Sequence, residues 1–178
     1  MARYLISDLH LDHDNIIDYC DRPFDNVEEM NQVLIENWNR TVSNDDIVFF
    51  VGDLGHFAND DDLRYWLERL NGRTVFIEGN HDSPDRYVDG VHTHQYYILN
   101  RGDQEFCCAH RPENVPGFWD GWIIHGHHHN NHPERYPFVN PQKEQVNVSC
   151  ELIDYEPIRV SEVVNYIEHD ERFAVAPD

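Results

Sequence analysis

Three short apolar runs alternate with two amphipathic segments in the first eighty residues, and that order leaves few folds open. Tyr4-Leu5-Ile6 and residues 47–51 are unbroken by polar residues and residues 74–77 carry only Thr74, as strands buried on both faces do. Between the first two runs, Val27, Met30, Leu34 and Trp38 recur at helical spacing, which predicts a helix over 27–40. Asn26 with Glu29 three residues on resembles a capping box at its start. A second helix is predicted over about 60–70. A β-α-β-α-β order implies parallel strands joined by right-handed crossovers, hence an α/β fold.

The second half changes character. Residues 91–99, 105–109, 122–125 and 146–153 are strand-like and joined by short turns such as Asn100-Arg101-Gly102-Asp103, which suggests a meander or a second sheet. Residues 130–142 carry three prolines and read as a loop. Val160, Val163, Val164 and Ile167 mark a closing amphipathic helix. With 178 residues and neither internal repeat nor low-complexity linker, one domain over 1–178 is expected.

Residues suited to chemistry gather where the apolar runs stop, the place where α/β proteins put their sites. Asp8-Leu9-His10 follows the first run, Gly52-Asp53 the second, and Gly79-Asn80-His81-Asp82 the third. Gly126-His127-His128-His129 follows a later run, and His110 stands alone between. Carboxylates and imidazoles together suit Zn²⁺, Mn²⁺ or Fe. Asp8 and His10 are two apart and share a face if the chain is extended, as do His127 and His129, with His128 turned away. His125 has that same parity, as a third inward residue or as a donor to a ligand. A carboxylate such as Asp53 has lone pairs enough to bridge two ions. Asn80 adds a neutral oxygen, and His81 a proton donor. Each cluster alone also fits a turn, a cap or a surface patch; together they point to a pair of metal ions.

The balance of 34 acidic against 13 basic residues, net −21, is unusual, and Lys143 is the single lysine. Such acidity resembles adaptation to high cytoplasmic salt, where a Debye length of about 3 Å or less screens like charges. It also opposes a long nucleic-acid partner, which needs a basic footprint. No run of 18 apolar residues occurs, and Met1-Ala2-Arg3-Tyr4 leads straight into a strand, so a cytoplasmic chain without signal peptide or membrane anchor is expected. Cys20, Cys107, Cys108 and Cys150 form no C-x-x-C pair and read as reduced core thiols.

In order and spacing, D-x-H, G-D, G-N-H-D, a lone His and G-H-x-H resemble the calcineurin-like metallophosphoesterase superfamily, with every element of its pattern present up to residue 129. Asn15-Ile16-Ile17, Cys20-x-Arg22-Pro23-Phe24, Met30 and Leu34-Ile35-x-Asn37-Trp38-Asn39 are further similar to a compact, functionally uncharacterised branch of predicted phosphoesterases. The resemblance implies two packed β-sheets flanked by helices, an αββα sandwich. It implies that Asp8, His10, Asp53 and His129 hold one metal, and Asp53, Asn80, His110 and His127 the other, with Asp53 bridging. His81 would then be the catalytic residue beside the pair, as proton donor or transition-state stabiliser.

The expected function is hydrolysis of a small phosphodiester or phosphomonoester, nucleotide-like and a diester before a monoester, by hydroxide formed on two divalent ions. Two ions, two carboxylates and one hydroxide leave a site near about +1, suited to a phosphate ester. Mn²⁺ comes first among the ions, with Zn²⁺, Fe, Ni²⁺ or Co²⁺ also suited. Arg22 and Arg111 are candidates for gripping substrate phosphate, or for plain salt bridges. Leu54-Gly55-His56 stands where the phosphoprotein-acting branch has Asp-Arg, which weighs against a protein phosphatase. A nuclease is the alternative reading and a non-catalytic interaction scaffold a lesser one; oligomeric state stays open.

Overall fold

In the computed structural model, residues 1–82 and 92–169 are described. Four strands, β1 (Arg3–Ile6), β2 (Ile47–Phe50), β3 (Arg73–Ile77) and β4 (Thr93–His94), lie parallel in one sheet. The short β10 (Ile158–Arg159) closes that sheet antiparallel to β1. The second sheet has the order β5 (Tyr97–Arg101), β6 (Gln104–Cys108), β7 (Ile123–His125), β9 (Gln145–Asn147), β8 (Val139–Asn140). It is also mixed, for β6, β7 and β9 run parallel while β5 and β8 are antiparallel edges. The helices are α1 (Asn15–Cys20), α2 (Val27–Thr41), α3 (Asp60–Leu67) and α4 (Val160–His169). The architecture is the expected α/β one, two packed sheets flanked by helices.

Strand alternation builds two cores. Tyr4 and Ile6 of β1, with Val48 and Phe50 of β2, pack under α1 and α2 against Ile16, Met30, Leu34 and Trp38. Their neighbours Leu5 and Phe49 point the other way, into a layer shared with Phe106, Cys108, Ile124 and Val146 of the second sheet. Burial on both faces is why the first-sheet strands show no polar alternation.

The capping signal at α2 holds with one shift. Asn26 accepts from the Glu29 amide at 2.9 Å, but the Glu29 carboxylate reaches back to the amide of Asp25. α3 ends at Leu67 rather than near 70, its last carbonyls capped in a turn. The strand predicted over 91–99 is two strands in different sheets, β4 and β5; position 91 lies outside the described residues. The strand predicted over 146–153 also breaks. After β9 the chain leaves its own sheet: Ser7 donates to the Val148 carbonyl and Cys150 to the Ser7 carbonyl, and Cys150–Leu152 then coil into a 3-10 turn. The short α1 and β8, the latter inside the predicted 130–142 loop, lack the length to show a period. All four cysteines are buried and unpaired, as expected of core thiols. Among the described residues no helix is long and apolar enough to cross a membrane.

Candidate metal centre

The candidate residues meet where β1, β2 and β3 end and the second sheet's β6 and β7 come alongside. The loop after β1 runs beside the loop after β2, with Asp8 donating to the Gly52 carbonyl, His10 to that of Asp53 and Leu11 to that of Leu54. Within this ladder the backbone is not extended. Asp8, His10, Asp53, His127 and His129 all have positive φ, between 48° and 69°. Left-handed backbone is uncommon for residues with a side chain, and its concentration at these positions marks loops shaped for something other than the easiest turn. The shared face of Asp8 with His10, and of His127 with His129, therefore does not come from strand alternation. It comes from alternate residues taking the left-handed form. His128 does turn away, its ring stacked on Tyr136 at 3.4 Å, and His125 lies on that side too, with Nδ1 on the Gly126 carbonyl.

The candidate residues form two three-donor groups, Asp8 with His10 and His129, and Asp53 with His110 and His127; a third, Cys20 with His129 and Glu151, adjoins the first behind His129. The Asp53 Oδ2 atom lies 3.5 Å from His10 Nε2 and 3.2 Å from His110 Nε2, so it faces both groups. His129 Nε2 is 3.6 Å from Asp8 Oδ1, and Asn80 Oδ1 is 3.2 Å from His110 Nε2. Bonds of about 2.0–2.2 Å to one ion put neighbouring donors roughly 3–3.6 Å apart, which is this spacing. His10 Nε2 is buried without a hydrogen-bond partner and aims at the two carboxylates, as a ligating lone pair would. These donors fit a divalent cation, and the structure brings all seven residues expected as ligands to one place.

A second layer fixes them. Asp8 Oδ2 accepts from Ser7 Oγ, Ser149 Oγ and the His127 amide, which also reaches Oδ1 at 3.2 Å, so Oδ1 keeps a lone pair for the imidazole side. His110 Nδ1 donates to the Val51 carbonyl at 2.8 Å, and His129 Nδ1 to Glu151 Oε1 at 2.8 Å, so each presents Nε2 inward. Asp82, the last residue of the Gly79–Asp82 cluster, is a clamp: its carboxylate takes the amides of Gly79, Asp53 and Leu54. Gly79 and Gly126 are needed for closeness, since a Cβ on the first would collide with the Asp53 carboxylate and on the second with Asp8 and Ser7.

Charge is distributed unevenly over the imidazoles. Burial holds His10 at about 3 against the pull of Asp8 and Asp53, and burial with Arg111 nearby holds His127 at about 4, so both are neutral bases. Burial also opposes protonation of His110 and His129, but Asp53 raises the first to about 9, and Asp8 with Glu151 raises the second to about 11. Asp53 is driven below the usual carboxylate range, its burial outweighed by the bond from His110. Protons on His110 and His129 thus balance Asp8 and Asp53, and a ligating cation would replace them.

The two arginines go different ways. Arg22 does not reach the cleft. Its guanidinium is buried, with Nε and Nη2 on Glu151 Oε1 at 2.9 and 2.7 Å, Nη2 also on the Asp8 carbonyl and Nη1 on that of Leu9. Its donors are spent inside the fold, so of the two readings offered for it the salt bridge is the one seen, and it is buried rather than at the surface. Arg111 lies at the open side, with Nε and Nη2 at 3.3 and 3.1 Å from Asn80 Oδ1. The exposed His81 donates its amide to Asp53 Oδ1 at 2.8 Å, and its ring lies 5.3 Å from that of His10. Glu151 was missed by sequence reasoning, as was His13, whose Nδ1 is 3.1 Å from His10 Nδ1. His13 had a signal in its three-residue offset from His10; Glu151 had none.

No family model matches the chain. It is similar to the uncharacterised protein MJ1445 of Methanocaldococcus jannaschii, 47% identical over 167 residues that span 93% of this chain and 90% of that one. The crystal structure of AQ665, a protein of unknown function from Aquifex aeolicus, superposes with a TM-score of 0.70 over 93% of this chain and 99% of that one, at 24% identity. That likeness shows a shared fold. Yfce, a phosphoesterase from E. coli, reaches a TM-score of only 0.40 at 16% identity, over 84% of this chain and 78% of that one, and carries no argument.

Proposed function

This chain belongs to the family of the uncharacterised protein MJ1445, and we propose that it is a phosphoester hydrolase dependent on two divalent metal ions, acting on small phosphate esters. The observation that carries this reading is the pair of donor groups sharing the Asp53 carboxylate. Asp8, His10, Asp53 and His129 would hold one ion, and Asp53, Asn80, His110 and His127 the other. Two such ions, when bound, would polarise a phosphoryl oxygen and lower the pKa of water towards about 7, which would supply a nucleophile at neutral pH.

The protein's own groups do the rest. Ser7, Ser149 and the His127 amide hold Asp8, the Val51 carbonyl holds His110, and Glu151 holds His129, so the donors need little rearrangement. Arg111, beside Asn80 on the open side, would pair with a non-bridging phosphate oxygen. His81 is exposed next to Asp53 and would give a proton to the departing alkoxide. A net charge of −21 opposes long nucleic acids and favours compact substrates, with a diester ahead of a monoester.

The test is nitrophenol release from bis-p-nitrophenyl phosphate and from the monoester, with Mn²⁺ and with Asp53→Asn alongside. Turnover by the parent and none by the variant is expected. Turnover that survives Asp53→Asn, or none with any divalent metal despite two bound equivalents, would sink the proposal and favour a scaffold. Cleavage of polynucleotides in preference to small esters would favour the nuclease.

A further inference from the structure

The site has two unlike sides. Beyond Asn80 lies a polar cleft of about 440 Å³ where Gln95, His110, Arg111 and Asn114 meet. Beyond His81, the next residue, lies a hollow of about 170 Å³ walled by Leu54, Phe57, Leu63, Leu67, Phe76 and Ile77. His56 and His81 stand at its edge. Its roof is α3, whose apolar residues Leu63, Trp66 and Leu67 face inward yet none of which is fully buried. The helix therefore packs on the core by its apolar face while Leu63 and Leu67 also border the hollow.

We propose that this hollow receives the alcohol side of the substrate, and that the preferred substrates are phosphoesters whose leaving group carries one six-membered ring, aryl or pyrimidine in size. Three observations converge on it. A dry apolar cavity of about 150 Å³ takes up benzene, so the size admits one such ring and little more. Most of the wall is aliphatic and aromatic, which suits a ring's face and edge, and its one carboxylate, Asp82, is already held by the amides of Gly79, Asp53 and Leu54. Its edge carries His81, the group placed to protonate the departing oxygen, so a ring seated there brings its ester oxygen to the proton. The phosphate then lies over Asp53, and any second, polar arm points to Arg111. This rests on the phosphoesterase reading.

The test compares phenylphosphonate with methylphosphonate, neither of which turns over, binding to the full chain loaded with Mn²⁺, by calorimetry. Phenylphosphonate should bind at least about tenfold more tightly. Leu67→Trp, which fills the hollow, and Thr93→Trp, which narrows its rim from an exposed position, should each erase that advantage and leave methylphosphonate unchanged. Equal affinities for the two ligands, or an advantage that survives both substitutions, would overturn the inference while leaving the phosphoesterase reading intact. Binding of neither phosphonate by protein that holds its metal would overturn both.

Discussion

Removing the Glu151 carboxylate should separate what holds the fold from what aims a ligand. Oε1 of Glu151 takes three bonds, from Arg22 Nε, Arg22 Nη2 and His129 Nδ1, all between 2.7 and 2.9 Å and all shielded from water. Burial disfavours its ionisation, but His129 and Arg22 together bring it to about 2, so it is a full charge between two donors. Glu151→Ala leaves the guanidinium buried with only carbonyls and the Met30 sulfur. Breaking one side of a buried pair costs about 3–5 kcal/mol. For a chain of this size that is roughly 6–20 °C in Tm. His129 also loses the partner that presents Nε2 to Asp8, and loss of such a partner weakens metal binding about 10–100-fold. The weakening should fall on one equivalent, the Asp8–His10–His129 group, and spare the other. Thermal unfolding in chelator reads the first effect, and Mn²⁺ titration by calorimetry the second. Arg22→Met with Glu151→Leu removes both charges and should restore most of the stability but none of the affinity. A loss below about 1 kcal/mol for Glu151→Ala, or equal weakening of both equivalents, would refute this account.

Other outcomes follow from single contacts. Gly126→Ala drives a methyl into the Asp8 carboxylate, so the first metal equivalent should weaken at least about tenfold in calorimetric titration; an unchanged affinity would contradict the packing. Asp46 is lowered by the amides of Ala2 and Ser43, so its contribution is present above the unfolded carboxylate pKa and lost as pH falls through the folded one. Asp46→Asn should therefore flatten the acid side of the stability profile below about pH 4, and an unaltered acid limb would count against it. If the charge of −21 is an adaptation to salt, Tm should climb by several degrees between 0.1 and 2 M KCl; a flat response would remove that reading.

Much of the centre was legible because each donor sits where an apolar run stops, and a run that stops at the end of a parallel strand places its next residues at the sheet's edge. Asp8, Asp53 and Asn80 carry that signal directly. How their side chains converge was not legible, since nothing in the composition of Asp8-Leu9-His10 announces left-handed backbone. For Arg22 the sequence offers both a substrate contact and a salt bridge; the salt bridge is the one formed, buried rather than at the surface. Its partner is 129 residues away, a separation no local pattern spans. Glu151 was hidden inside a predicted strand by the alternation of Val146, Val148 and Cys150. That alternation is real, but it spans two sheets: Val146 pairs in β9, while Ser149 bridges to Ser7 at the end of β1.

Asp8, His10, Asp53 and Asn80 come from the first sheet's loops, whereas His110, His127 and His129 come from the second's. Each proposed ion would therefore be gripped from both layers and would act as a rivet through the sandwich. Loading would then be a mechanical event as well as a chemical one, tightening the seam between the sheets and slowing amide exchange along β1 and β7 together.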